Sequence, residues 1–458
     1  MTTVILVSVL LYALFALVIP RFAVWLFLAS SVIQLGWLDR YIAGAEGYRR
    51  ISLLLAIILA GRVIFELVTE KKRILKSQHF LKALVPLGLI FIVITILSNF
   101  YNNESLALGL FSLRYYLVGY IACISMYFYN YRYLTVSNVK KALIFLGLLQ
   151  LPISTLKYVY AGGGELLSLD SVTGTFSVYG ELVACQALCI GIVIYDRLQY
   201  SKSYFGINSY VLALMLMIPL VLSKSRTASA LIPIMPLFAL ILYSIHSRNA
   251  ITTLAKAMII IVLVIGMWVI FYQYFWSPTY DVEEQLRFEY AYNYVMKEPE
   301  VSASRTIEGP GLGRMMAIVK AFDTIGHDAF ALFFGYGSGS TQESLLLNRY
   351  GRYYQVYGEF AGIGRNQFSR MLFEYGIIGL ISAVWFLIYI RRAIIRYIVH
   401  RSGYELYDMY TIFLFVLIII SWYSLTLSSN FFSVLTGCMI ATFQVEHDRS
   451  RQQIAIDG

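Results

Sequence analysis

Charged residues are scarce in this chain: Asp, Glu, Lys and Arg make up 14% of its 458 residues, where soluble domains carry about a quarter. An ordinary water-solvated globule is excluded by that balance. Histidine is rarer still, at 5 residues, and His246, His327 and His400 stand apart from one another. They read as surface residues rather than metal ligands. No HExxH, DxD or Walker motif occurs, which leaves a metal- or NTP-dependent mechanism without support, and no cofactor is expected. The 4 cysteines, Cys123, Cys185, Cys189 and Cys438, all fall inside apolar runs, so they offer neither a disulfide frame nor a zinc site. Met1-Thr2-Thr3 brings no basic region and no small-residue cleavage motif, so no cleaved signal peptide is expected. The ten-residue alternation of a membrane β-barrel is missing too.

What fills the chain is apolar. Hydrophobic residues reach 59% and mean hydropathy is +0.69. Apolar runs long enough to cross ~30 Å of hydrocarbon recur along nearly the whole length. Backbone polar groups find no water there, so the spans are expected to be helices. They are placed at 3–37 (one or two helices, broken at Pro20-Arg21), 51–68, 83–98, 106–129, 142–157, 177–194, 208–222, 227–244, 256–275, 366–389, 408–427 and 429–444. The expected fold is an all-α polytopic membrane protein of about twelve transmembrane helices, thirteen if 3–37 is two. A net charge of +10 raises the question of nucleic acid. Basic residues, however, concentrate in alternate short segments (69–82, 130–141, 195–207, 244–257, 390–407 and the C-terminus). That is the positive-inside pattern, and membrane lipids rather than nucleic acid are the expected surroundings.

The register leaves one long segment, 277–365, mixed in charge and expected outside the cytoplasm, since long loops translocate regardless of charge. It divides the chain into an N-terminal bundle (1–276), a large extracytoplasmic loop carrying short helices (277–365) and C-terminal helices (366–458). Within the loop, Asp281 to Lys297 reads as helical, and Pro310 is placed to open a helix running from Arg314 to Phe330.

Cations on the wrong side of the topology are the informative ones. Lys224 and Arg226, in SKSRTAS between two spans, sit at the outer boundary, where the positive-inside rule does not want them. Two cations there suit a diphosphate, because Arg grips phosphate through a planar fork and Lys as a point charge. Snorkelling into the headgroups is the plainer alternative. Arg114 lies in the outer half of its span, Arg62 in the inner half of another, and Lys157 at an outer edge. The densest constellation is GRNQFSRMLFEYGIIGL, 364–380, with Arg365 and Asn366 at the mouth of a span and Arg370 and Glu374 below. Arg370 and Glu374 are i,i+4 and neutralise each other in one reading. In another, Glu374 is a buried base. GYGSGS, 335–340, invites a nucleotide reading, but no strand precedes it, and a backbone turn is favoured.

Four passages together resemble the O-antigen polymerase and ligase family of bacterial surface-polysaccharide assembly. They are TGTF at 173–176, LSKSRTASAL at 222–231, the stretch from Arg314 to Gly339, and Arg365 to Gly379 with Asn366, Phe368, Leu372, Glu374, Gly376 and Gly379 in pattern. The ligases of that family carry histidine where this chain has Arg365, and a guanidinium is no base. Arg365-x10-Gly376 instead resembles the Arg-x10-Gly motif of polymerases. The resemblance implies a GT-C-like membrane glycosyltransferase at the outer leaflet of the inner membrane. Its reaction would be metal-independent inverting transfer of a glycan from polyprenyl diphosphate to an incoming lipid-linked repeat unit, with a chain-length regulator protein as a further partner. On this reading Arg365, Arg226 and Glu374 are catalytic, and Arg314, Arg114, Lys224, Asn366 and Lys157 bind substrate. The cations would stabilise charge gathering on the diphosphate as it leaves. Loop tyrosines Tyr290, Tyr292, Tyr294, Tyr353, Tyr354 and Tyr357 are candidates for stacking on sugars. A ligase is the nearest alternative. A lipid-linked glycan transporter is disfavoured by the lack of inverted repeats.

Overall fold

A computed structural model describes residues 2–34, 51–69, 79–160, 172–176, 179–223, 226–246, 300–301, 307–308, 314–344, 347, 349–357, 366–396, 404–423 and 429–457. The described chain is mostly helical. It comprises α1 (Thr2–Val18), α2 (Pro20–Val32), α3 (Ile51–Thr69), α4 (His79–Tyr101), α5 (Leu106–Ser112), α6 (Arg114–Asn130), α7 (Val136–Tyr160), α8 (Tyr179–Tyr200), α9 (Ser209–Leu222) and α10 (Arg226–His246). After a two-residue ladder of β1 (Glu300–Val301) with β2 (Ile307–Glu308) come α11 (Arg314–Gly326) and α12 (Ala329–Phe334). A second such ladder, β3 (Glu343–Ser344) with β4 (Arg349–Tyr350), precedes α13 (Arg352–Tyr357), α14 (Gln367–Ile394), α15 (Glu405–Tyr423) and α16 (Asn430–Asp457).

Among the described residues four helices are long and apolar enough to cross a membrane: 84–101, 136–159, 367–394 and 405–422. They become five if α5 and α6, bent by 41° at their junction, form one broken span. Pro20–Val32, Ser209–Leu222 and Ala230–His246 are apolar but shorter. The architecture suits an all-α membrane protein; the count of twelve expected from the sequence includes 256–275, which lies outside the described residues. So do Asp281–Lys297 and Pro310. The helix expected from Arg314 to Phe330 ends at Gly326, and a second short helix starts after Asp328, whose carboxylate caps it by accepting the Phe330 N–H at 2.8 Å.

The break expected at Pro20 is present. Proline has no N–H to continue α1, and it opens α2 instead. The two segments fold onto each other, so that the Tyr12 hydroxyl donates to the Ala23 carbonyl at 3.0 Å. An unbroken helix would hold these residues ~16 Å apart along its axis.

The core is centred on α8, which is buried on every side from Gly180 to Asp196 and packs against α7, α9, α10 and α15. α6 lies along α16, and both meet α2 and α4. α4 turns apolar residues such as Leu89, Val93 and Phe100 outward while burying Thr95, Ser98 and Asn99. Water would favour the reverse; a lipid surround satisfies it.

Candidate functional site

The site grows from a break in α14. Gly376 adopts φ 63°, ψ −165° in the middle of that helix, a region essentially restricted to glycine. A helix broken there leaves backbone carbonyls without their usual partners. The Phe373 carbonyl accepts the Tyr336 N–H at 2.8 Å and the Glu374 carbonyl accepts the Gly337 N–H at 3.2 Å. These donors belong to the 335–340 turn, in which Gly335, Gly337 and Gly339 all have positive φ. Contact is close enough that a Cβ on Gly335 would come within 2.4 Å of the Glu374 carbonyl carbon. The turn therefore spends donors on α14, which gives the glycines a structural reason and removes the nucleotide reading.

α4 supports the same turn from the other side. The Ser98 hydroxyl donates to the Gly335 carbonyl and Asn99 Nδ2 to the Ser338 carbonyl at 3.0 Å. The Ser338 hydroxyl is bonded to Ser112 and, at 2.8 Å, to the Tyr375 hydroxyl.

Beneath the turn lies Glu374, fully buried. Its Oε1 accepts from Thr341 Oγ1 at 2.6 Å and Gln342 Nε2 at 3.2 Å, and its Oε2 from Arg370 Nε at 3.3 Å. The i,i+4 ion pair expected from spacing is formed, and two partners the sequence did not suggest complete the shell. Both carboxylate oxygens thus serve internal donors. At the mouth of α14, Asn366 is its N-cap: Oδ1 accepts the Ser369 N–H at 2.7 Å while Nδ2 donates to the Arg314 carbonyl at 2.9 Å. That one side chain joins the starts of α14 and α11.

The rim is formed by the loop after α4 and the 342–352 segment. Arg349 Nη1 donates to Ser105 Oγ at 2.8 Å, and the Arg352 N–H reaches the Glu104 carboxylate at 3.3 and 3.4 Å. Burial pushes the Glu104 carboxyl up from the usual carboxylate range, against the opposing pull of Arg352. Glu104 was not singled out by the sequence. It sits in a short connection with no motif around it.

The remaining candidates stand on other elements. Arg114 opens α6 with its guanidinium 4.0 Å over the Phe111 ring and Nη1 donating to the Phe111 carbonyl at 2.9 Å. Two residues on, Tyr116 stacks on Phe91, which meets Tyr375 edge-on, so α6 adjoins the site. Lys157 donates to Thr173 Oγ1 at 2.9 Å and belongs with the TGTF turn, where Gln150 holds both the N–H and the hydroxyl of Thr175. Arg226 begins α10, which packs chiefly on α8 and α9; its side chain, Lys224 and Arg365 lie outside the described residues.

A second polar cluster went unsuspected. Lys140 Nζ, buried, meets both Asp196 oxygens at 2.8 and 2.9 Å and Glu405 Oε1 at 3.1 Å, and Lys202 Nζ meets Glu405 Oε2 at 2.7 Å. Tyr204 donates to Asp196, and Tyr200 to Asp408 at 2.6 Å. It lies far from the Asn366 end of α14, near Arg391, which reaches the Tyr407 hydroxyl at 3.1 Å. Its signal in the sequence was weak, because each member stands at a span end where charges are ordinary.

Among the described residues no group of three or more His, Cys, Asp and Glu is arranged to hold a metal ion. Neither a protein-family model nor a curated protein matches this chain.

Proposed function

We propose that the protein is a polymerase of bacterial surface polysaccharide, transferring a polyprenyl-diphosphate-linked glycan onto an incoming lipid-linked repeat unit at the outer leaflet of the inner membrane. The observation that carries this reading is the Asn366–Arg314 contact. It brings the Arg314–Gly339 and 365–379 passages, two of those on which the family resemblance rests, into one site at one end of the helices. Gly376, the glycine of Arg365-x10-Gly376, is the residue at which α14 must break for that site to form. On this reading the rim arginines, with Arg314, Arg365 and Arg226, supply positive charge to a diphosphate leaving group, where fixed cations in a poorly solvated site offset charge most effectively. Surrounding apolar helix faces suit the polyprenyl chain. Glu374 then acts by holding the side chains of Arg370, Thr341 and Gln342 in place.

The test is the lipid-linked glycan pool of a deletion strain. Loss of a polymerase leaves single repeat units, with the final acceptor still decorated. Loss of a ligase instead strands long polymer on the carrier and leaves the acceptor bare, and loss of a transporter traps single units on the cytoplasmic leaflet. Long polymer on the carrier overturns the polymerase reading in favour of a ligase.

A further inference from the structure

We propose that Glu104 is the general base of this glycosyl transfer: its carboxylate takes the proton of the acceptor sugar hydroxyl as that oxygen attacks the anomeric carbon. This rests on the polymerase reading above. The attacking oxygen forms the new glycosidic bond, and the bond from the anomeric carbon to the diphosphate breaks with its electron pair going to the lipid diphosphate. The proton ends on Glu104, which returns it to water.

Two carboxylates of the site have described side chains, Glu374 and Glu104, and the geometry separates their roles. Glu374 is fully buried with both oxygens engaged by Thr341, Gln342 and Arg370, so accepting a substrate proton would require dismantling that shell. Glu104 is partly exposed on the loop between α4 and α5. It is held by backbone N–H groups alone among the described residues, that of Arg352 at 3.3 and 3.4 Å to its two oxygens and that of the adjoining Ser105. Two backbone donors leave the remaining lone pairs of a carboxylate open to a hydroxyl. The charged groups acting on it are Arg352 and Glu374, with Arg349 held on the adjoining Ser105. Two arginines beside one base put a diphosphate and its attacking hydroxyl within the reach of a single rim. Partial burial, which raises its proton affinity, suits a carboxylate to act as a base near neutral pH.

A plain structural role is the competing account, because Glu104 also caps the first N–H of α13. Glu104→Gln separates the two: its amide oxygen still accepts the Arg352 N–H, yet it cannot take up a proton. The experiment uses the full-length protein in proteoliposomes with a lipid-linked repeat unit, measuring chain extension against pH. The wild type should lose activity as pH falls through the raised Glu104 pKa, since the anion is the working form. E104Q should lose roughly 100-fold or more in turnover, the scale of general base catalysis, and should lack that acid limb. E104D, which keeps a shorter carboxylate, should retain partial activity with the limb present. E104Q extending chains at the wild-type rate, or with the wild-type acid limb, overturns the base while the polymerase reading stands. A wild-type protein that extends no chains overturns that reading, and the base with it.

Discussion

Gly376 concentrates much of the site's architecture in one residue. A side chain there would strain a backbone conformation that costs about 1–3 kcal/mol for other residues, and its Cβ would come within 2.5 Å of the Phe333 carbonyl carbon. Gly376→Ala is therefore expected to lower the thermal midpoint of the detergent-solubilised protein. Gly88→Ala, where a Cβ meets nothing within 4 Å, should leave it unchanged; equal midpoints for both would show that the break in α14 is not needed. Arg370 and Glu374 give a second test at this scale. Arg370→Ala leaves a buried carboxylate without its cation, an arrangement that costs about 3–5 kcal/mol. The double variant Arg370→Met with Glu374→Leu should recover most of that stability while remaining inactive, if the pair organises the site. Recovery of both stability and chain extension would reduce the pair to packing. Spacing alone made this pair legible. Thr341 and Gln342 were not, since they approach Glu374 from more than thirty residues away.

Between elements, single polar side chains do the joining in both clusters. Asn366→Ala removes the cap of α14 and the link to α11, and a loss of about 1–2 kcal/mol is expected from the cap alone. Asn366→Asp keeps the capping oxygen but has no donor for the Arg314 carbonyl. It should keep α14 capped while loosening α11, which hydrogen exchange over 314–326 would read. Unchanged exchange there would mean the 2.9 Å contact does not hold the two helices together. At the far end of α14, Lys140 draws Asp196 of α8 and Glu405 of α15 against α7. Lys140→Met leaves the buried Asp196 carboxylate without its cation, while Glu405 keeps Lys202, and should destabilise by about 3–5 kcal/mol. Its exposed neighbour Lys141→Met should cost nothing, and equal effects would reassign the cluster to ordinary surface charge. Helix positions were readable from hydropathy: α3, α4, α9, α10 and α15 begin and end within four residues of the expected spans, while α7 starts six residues earlier and α14 ends five residues later than expected. Their pairings were not readable, because a lipid-facing helix is apolar nearly all round and its sequence marks no single inward face.

For the molecule as a whole, the two polar clusters define two ends, and the proposed reaction requires the Glu374 end to face away from the cytoplasm. Cysteine placed at the exposed Tyr350 should react with a membrane-impermeant maleimide in cells whose inner membrane is intact. Cysteine at the exposed Phe205, beside the Lys140 cluster, should react only after that membrane is opened. The reverse pattern would put the site on the wrong leaflet for a polyprenyl-linked repeat unit and end the polymerase reading. By itself the sequence determined the apolar and helical character of this protein, because both follow from composition and run length, which are local. It also marked Asn366, Arg370 and Glu374, whose spacing along one helix needs no tertiary information. Only the folded structure decided that the GYGSGS turn caps the broken α14, that Glu374 is enclosed while Glu104 stays open, and that Lys140 is buried among carboxylates. Each of those depends on groups brought together from distant segments, as when Ser98 meets Gly335 across 237 residues, and no local pattern encodes such a meeting.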